Sequence, residues 1–324
     1  MFKRRHLLAL SAAAPLAAPA LAQAPWPNRP VRVLVGFPPG GSLDVLTRMA
    51  AELMAQRLGQ PFVVETRSGA SGNIAAEALA RAPADGYTIS TVSMHTVVIN
   101  PRVFPSVPFD AARDFRWISA MWDLPNVFAV PAQHVPARSV AEFVAWAKAR
   151  RGGVSYGSPG SGTTGHLSGA YFANRSGIDA THVPFRGAAQ TIPAMLGGDV
   201  QMAIDNLASY MSVIQGGVIR PLAVAMPERW PALPEVPTMA EAGFDAFNIS
   251  PWHLWAGPAG MPAEVAERLS AEIRDCWADP ALQERTIAMG ARLTGSTPAA
   301  LGARLAAETP RWAEMVRVSG AQAG

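Results

Sequence analysis

Three short stretches carry residue types that could do chemistry. FPPGGSLD (residues 37–44), RSGASGN (67–73) and SPGSGTTGH (158–166) each follow an apolar run and precede a helical pattern. Gly40 and Gly41 let backbone approach a ligand closely, and Ser42 reads as the N-cap of the helix that follows. Ser71 or Asn73 reads as the cap in the second stretch, Thr163 or Thr164 in the third. The first N–H groups of a helix have no partner inside it, so such loops can present them to an anion. Each helix end favours an anion by about 0.3–1 kcal/mol. Three that converge on one cleft could hold a carboxylate without an arginine clamp. Taken alone, each loop is also readable as a tight turn that merely starts a helix.

Polar side chains beside these loops keep two readings each. Asp44, in a first helical turn, reads most simply as serving its own helix dipole. His166 is a cap-region polar group or a donor to a ligand, and Asp205, closing the run QMAID, faces a cleft or caps the next element. Arg186 pairs with a second ligand carboxylate or stands in solvent.

Several chemistries lack their residues. Neither the Walker A pattern nor G-x-G-x-x-G occurs, which excludes the familiar phosphate loops. G-x-S-x-G is absent, and His95, His134, His166, His182 and His253 form no close metal-binding pair. Cys276 stands alone in a helical pattern and reads as a packing residue without a disulfide partner. No cofactor or metal is expected.

The elements that must position these residues follow from periodicity. VRVLVGF reads as a strand, and the next apolar positions (Val45, Leu46, Met49, Ala50, Leu53, Met54, Leu58) recur at helical spacing. QPFVVETR, an Ala-rich helix and DGYTISTVS complete a βαβαβ unit, which predicts a parallel doubly wound sheet. A second such unit runs from SVAEFVAWAKAR to IRPLAVAM, the span 227–243 reads as an extended proline-bearing connector, and the C-terminal part is helical. Two α/β units followed by surplus helices imply that the chain crosses between domains twice. WISAMWDLPNVFAVPA and NISPWHLWAGPAG are the candidate crossings, where Trp252 and Trp255 could report on a hinge. A cleft between such units is a usual ligand site.

The 324-residue chain is 49% hydrophobic and 16% charged, the balance of a soluble globular protein. Residues 1–22 have a basic start, a Pro-broken apolar stretch and an Ala20-Leu21-Ala22 exit, the layout of a signal peptide. Gln23 rather than Cys follows, which argues against a lipid anchor, and Arg4-Arg5 leaves the Sec and twin-arginine routes both open. Without the leader's Lys3, Arg4 and Arg5, the chain has 24 basic and 24 acidic residues, so nothing supports a nucleic-acid partner.

FPPGGSLD, RSGASGNIAAEALARAPADGYT, SPGSGTTGHLSGAYF, FRGAAQTIPAMLGGDVQMAIDN and WAGPAGMPAEV occur in this order. From about Pro27 onward the chain resembles the periplasmic receptors of the tripartite tricarboxylate transporter family, the Bug proteins. The resemblance implies an α/β, two-lobe type II periplasmic-binding-protein fold that closes like a Venus flytrap on a ligand between its lobes. Residues 23–124 with 250–324 would form one lobe and 125–249 the other. It implies a soluble periplasmic monomer, not an enzyme, that delivers a small organic acid to membrane transporter subunits. By the same resemblance, Pro39, Gly40, Gly41 and Ser42, with Ala70, Ser71 and Gly72, would hold a ligand carboxylate. Ser158, Gly162, Thr163, Thr164, His166 and Asp205 would face it from the second lobe. Met94 and His95 depart from the small residues usual in the family after the third strand, and either select an unusual ligand or pack against the lobe. An exported α/β hydrolase, which would need a nucleophile within reach of His95 or His166, and a stand-alone ligand sensor are the competing functions.

Overall fold

The computed structural model describes residues 25–245 and 247–322; the expected leader lies outside them. The first half of the chain builds β1 (Val31–Val35), α1 (Ser42–Leu58), β2 (Phe62–Thr66), a 3₁₀ turn at Ala70–Gly72, α2 (Asn73–Ala80), β3 (Thr88–Ser93), α3 (Met94–Val98), α4 (Asn100–Val103) and β4 (Phe115–Asp123). It then crosses to β5 (Asn126–Pro131), α5 (Val140–Ala149), β6 (Val154–Ser158), α6 (Thr164–Ser176), β7 (Ala180–Pro184), α7 (Ala188–Leu196), β8 (Met202–Asn206), α8 (Leu207–Gln215) and β9 (Ile219–Val224). The return brings β10 (Trp252–Pro258), α9 (Ala263–Trp277), α10 (Pro280–Ala288), β11 (Arg292–Leu293) and α11 (Pro298–Ser319).

These strands form two sheets, ordered β11-β4-β10-β3-β1-β2 and β7-β6-β8-β5-β9. The β1–β3 strands pair in parallel, as do β6 with β7 and with β8. The parallel pairing expected of the βαβαβ unit holds for β1–β3, and the strands beside the crossings depart from it. β10 runs antiparallel to both β3 and β4, and β5 antiparallel to β8 and β9. The cause is the crossing itself: β4 leads into it and β10 leads out of it, so neighbours there must point in opposite directions. The two crossing segments are tied together, with Leu124 N–H donating to the Pro251 carbonyl (2.9 Å) and Ala225 N–H to that of Asn126 (2.8 Å).

Packing follows the patterns that made the elements. β3 is buried along its whole length, as a strand covered on both faces should be. In α8, Leu207, Tyr210 and Met211 are buried at helical spacing; this helix was not expected from the sequence. Trp255 stacks on Phe62 and donates its indole N–H to Thr91 Oγ1 (2.7 Å), while the Trp252 indole donates to Glu308 Oε2 (2.8 Å) on α11. Both are core residues of the first sheet. Through Leu301 and Trp312, α11 joins one hydrophobic cluster that contains Val92 of β3 and Phe172 of α6. Cys276 is a buried free thiol.

Candidate functional site

The carboxyl ends of the parallel strands from both sheets face each other across a cavity of about 340 Å³. That is where an open α/β sheet places its ligands, and the volume sits at the small end of the usual range of about 300–1,000 Å³. The first sheet contributes Phe37, Pro38, Gly41, Ser42 and Leu43 after β1, Ser68 after β2, Ser93 at the end of β3 and His95 after it, and Pro251 and His253 at β10. The second contributes Pro159, Thr163 and Thr164 after β6, Arg186 to Gln190 after β7, Asp205 and Asn206 at the end of β8, and Ser209 in α8.

Four helices, α1, α6, α7 and α8, begin at this wall. Gly41, not Ser42, is the N-cap of α1, and no side chain caps it; Ser42 is the first helical residue. Its N–H instead reaches across the cleft to Ser209 Oγ, 3.3 Å away. Gly187 before α7 and Asn206 before α8 also provide no side-chain cap. In α6, Thr163 Oγ1 accepts from the His166 N–H. Three helices thus meet the cavity with first-turn donors that no cap side chain takes up, an arrangement that favours negative charge. Asp44 does more than complement its helix: its carboxylate accepts from Gly40 N–H (3.1 Å) and pairs with Arg48 (2.9 Å), holding the loop in shape.

The remaining residues expected at the site are placed elsewhere. Pro39 and Gly40 are exposed at the loop tip, off the cavity wall. Neither Ser71 nor Asn73 caps α2; Gly72 occupies that position, and Ala70 and Ser71 adopt positive φ. Ala70 and Ser71 line a neighbouring groove, and Gly72 lines a small pocket behind the loop. The Ser71 carbonyl accepts from Thr96 Oγ1 (3.2 Å) and Asn100 Nδ2 (3.0 Å), while its hydroxyl donates to the Ser161 carbonyl in the opposite lobe. Met94 is 0% exposed, inside the core. Ser158 Oγ is hydrogen-bonded to His182 Nε2 (2.7 Å), and the His182 ring stacks on that of His166. His166 Nδ1 accepts from Gly162 N–H (3.2 Å), and Gly162 abuts Asn100 and Phe104. Among the expected residues, then, Gly41, Ser42, His95, Thr163, Thr164 and Asp205 are brought together on the wall.

His253, Asn206 and Ser209 were missed. The period-2 pattern of NISPWHLW could have flagged His253 as an inward strand residue at the crossing. Recognising α8 would have placed Asn206 and Ser209.

The wall carries few ionisable groups. Burial pushes the His95 imidazole down to about 4, against a smaller pull upward from the Ser71 carbonyl. Burial and the neighbouring His95 take His253 down to about 3. Asp205 is raised by burial to about 6, opposed by the Asn206 N–H that its Oδ1 accepts at 2.8 Å. His95 Nε2, His253 Nδ1, Asp205 Oδ2 and Asn206 Oδ1 are buried atoms without a hydrogen-bond partner. Each such atom costs about 1–3 kcal/mol unless something meets it, so four on one wall mark a place built to receive a polar ligand.

Ser93 Oγ lies 2.6 Å from His95 Nδ1, the contact that a hydrolase would need. A useful general base, however, has its pKa near the working pH and an orienting partner on its other nitrogen. His95 has neither.

The profile described as "Tripartite tricarboxylate transporter family receptor" matches residues 46–316. This chain belongs to that receptor family. Protein BugT of Bordetella pertussis is 34% identical to this receptor over 312 residues, which span 96% of the receptor and 95% of BugT. Among solved structures, Rpa4515 of R. palustris with adipate superposes with a TM-score of 0.88 at 34% identity, covering 92% of the receptor and 99% of that chain. The periplasmic binding protein BugD superposes with a TM-score of 0.86 at 30% identity over the same shares. The receptor therefore has the α/β two-lobe fold of periplasmic binding proteins, and its family and fold are those of binding proteins, not of enzymes. Among the described residues no helix is long and apolar enough to cross a membrane, and no cluster could hold a metal ion.

Proposed function

We propose that this receptor captures a small organic acid by its carboxylate in the cavity between two hinging lobes, 23–124 with 250–324 and 125–249, and delivers it to the membrane subunits of a tripartite tricarboxylate-type transporter. The observation that carries this reading is the meeting of the uncapped N-termini of α1 and α7 with Arg186, the cavity's only side-chain cation among the described residues. Gly41 and Gly187 at the caps leave room for an anion to approach the backbone donors. The adipate held by Rpa4515 supports a carboxylate as the ligand class. The signal-like leader, by Sec or twin-arginine export, and the family's periplasmic setting support a soluble periplasmic monomer.

Thermal denaturation of the purified protein against a panel of mono-, di- and tricarboxylates, sugars and amines tests the reading. A carboxylate at about 100 times its dissociation constant should stabilise the fold by about 2.7 kcal/mol. A shift with sugars or amines and none with any acid would overturn it.

A further inference from the structure

The two ends of the cavity are built differently. Cleft-facing strand ends run β2, β1, β3, β10 in one sheet and β7, β6, β8, β5 in the other. β10 and β5 adjoin the crossings, which makes that the hinge end. Ser68 and Arg186, which follow the outer strands β2 and β7, mark the mouth. His95, His253, Asp205 and Asn206 gather toward the hinge end from α3, β10 and β8.

Three of these side chains are more than nine-tenths buried: His95 is 5% exposed, His253 3% and Asp205 2%. Each carries a polar atom with no partner in the protein. Both imidazoles are uncharged at neutral pH, with values near 4 and 3, whereas Asp205, near 6, is mostly ionised. The one charge at this end is therefore negative. A second ligand carboxylate here would lose its water and find a like charge and two neutral rings, an unbalanced desolvation. A hydroxyl meets the same groups well. It can donate to Asp205 Oδ2 and accept from an imidazole N–H at once. Ser93 Oγ occupies His95 Nδ1, which leaves Nε2 as the ring nitrogen open to a ligand. Phe37, Leu43 and Pro251 on the wall suit an apolar middle.

We infer that the ligand is a monocarboxylate carrying an uncharged hydroxyl at its far end, and that His95, His253 and Asp205 select this hydroxyl over a second carboxylate or a methyl group. The inference rests on the carboxylate reading above and narrows it.

Titration calorimetry of the purified protein with two matched sets tests it: ω-hydroxyhexanoate, hexanoate and adipate, and para-hydroxybenzoate, benzoate and terephthalate. In at least one set the hydroxy acid should bind about tenfold or more tightly than both companions, because a site with buried polar groups rejects an analogue that leaves them unpaired. A diacid or the plain acid binding tightest in both sets would overturn the inference and leave the carboxylate reading standing. Silence from all six acids would overturn this inference, while the carboxylate reading falls only if the wider acid panel is silent as well. His253→Phe should collapse the preference for the hydroxy acid over the plain acid, while His253→Asn, which keeps a polar atom near the Nδ1 position, should retain most of it. A folded His253→Phe protein with its preference intact would overturn the role given to His253.

Discussion

A Cβ placed on Gly162, in the second lobe, would stand 2.7 Å from Asn100 Oδ1 in the first. Asn100 is fully buried, and its Nδ2 donates to the Ser71 carbonyl (3.0 Å) and to Asn73 Oδ1 (2.7 Å), so it cannot step aside without releasing the second loop. The lobes can meet as they do because position 162 has no side chain.

Gly162→Ala should accordingly weaken ligand binding about tenfold or more by holding the lobes apart. Gly162 has φ +81°, so alanine also brings a local backbone penalty of about 1 kcal/mol. Gly217→Ala separates the two effects, since Gly217 has φ +72° and open space around it. Equal losses of stability with a loss of affinity only at 162 are the expected pair of results in melting and calorimetry. Unchanged affinity at 162 would show that the contact does not limit closure.

Asp44→Ala should lower stability by about 1–3 kcal/mol, since Gly40 N–H and Arg48 lose a buried partner together. The loop 37–41 would then loosen, and affinity should fall with it. Denaturant unfolding and calorimetry on the same protein read both effects.

Arg186 is exposed at the mouth of the cavity. Arg186→Gln should slow association of an anionic ligand and flatten its dependence on salt, while stability stays within about 0.5 kcal/mol. Stopped-flow association at two ionic strengths checks this.

Acid should destabilise the fold as pH falls below about 6.5. Buried His95, His166 and His253, and half-buried His182 beside His166, have values near 4, 4, 3 and 3 in the folded protein, below the ordinary 6.5. Between about pH 6.5 and 4 the unfolded chain therefore binds more protons, and stability falls as pH falls through that window. Asp205 acts in the opposite sense: raised to about 6, it binds its proton more readily in the folded state, which favours the fold as pH drops from 6 to its ordinary 3.8. Four groups against one set the net sign. The melting temperature should drop between pH 7 and pH 4.5, and His166→Phe should make the drop smaller. A flat profile would contradict the burial of these rings.

Local chemistry was legible where its cause is local. The apolar runs of β1 and β3, the helical spacing of α1, and the small residues that join strand to helix depend on residues a few positions apart, so the chain alone determined the α/β alternation, the two crossings and the loops that start α1, α2 and α6. Which residue of a loop faces the ligand was a matter for the tertiary structure. Met94 and His95 are neighbours in the chain, but a helix turns roughly 100° per residue, so one enters the core while the other reaches the cavity. Gly41 rather than Ser42 is the cap, since Gly41 is extended and Ser42 already starts the helix, with its N–H on Ser209 across the cleft. His253 joined His95 because β10 returns antiparallel beside β3 and sets His253 opposite Ser93. Those pairings are made between segments far apart in sequence, and no periodicity within either segment encodes them.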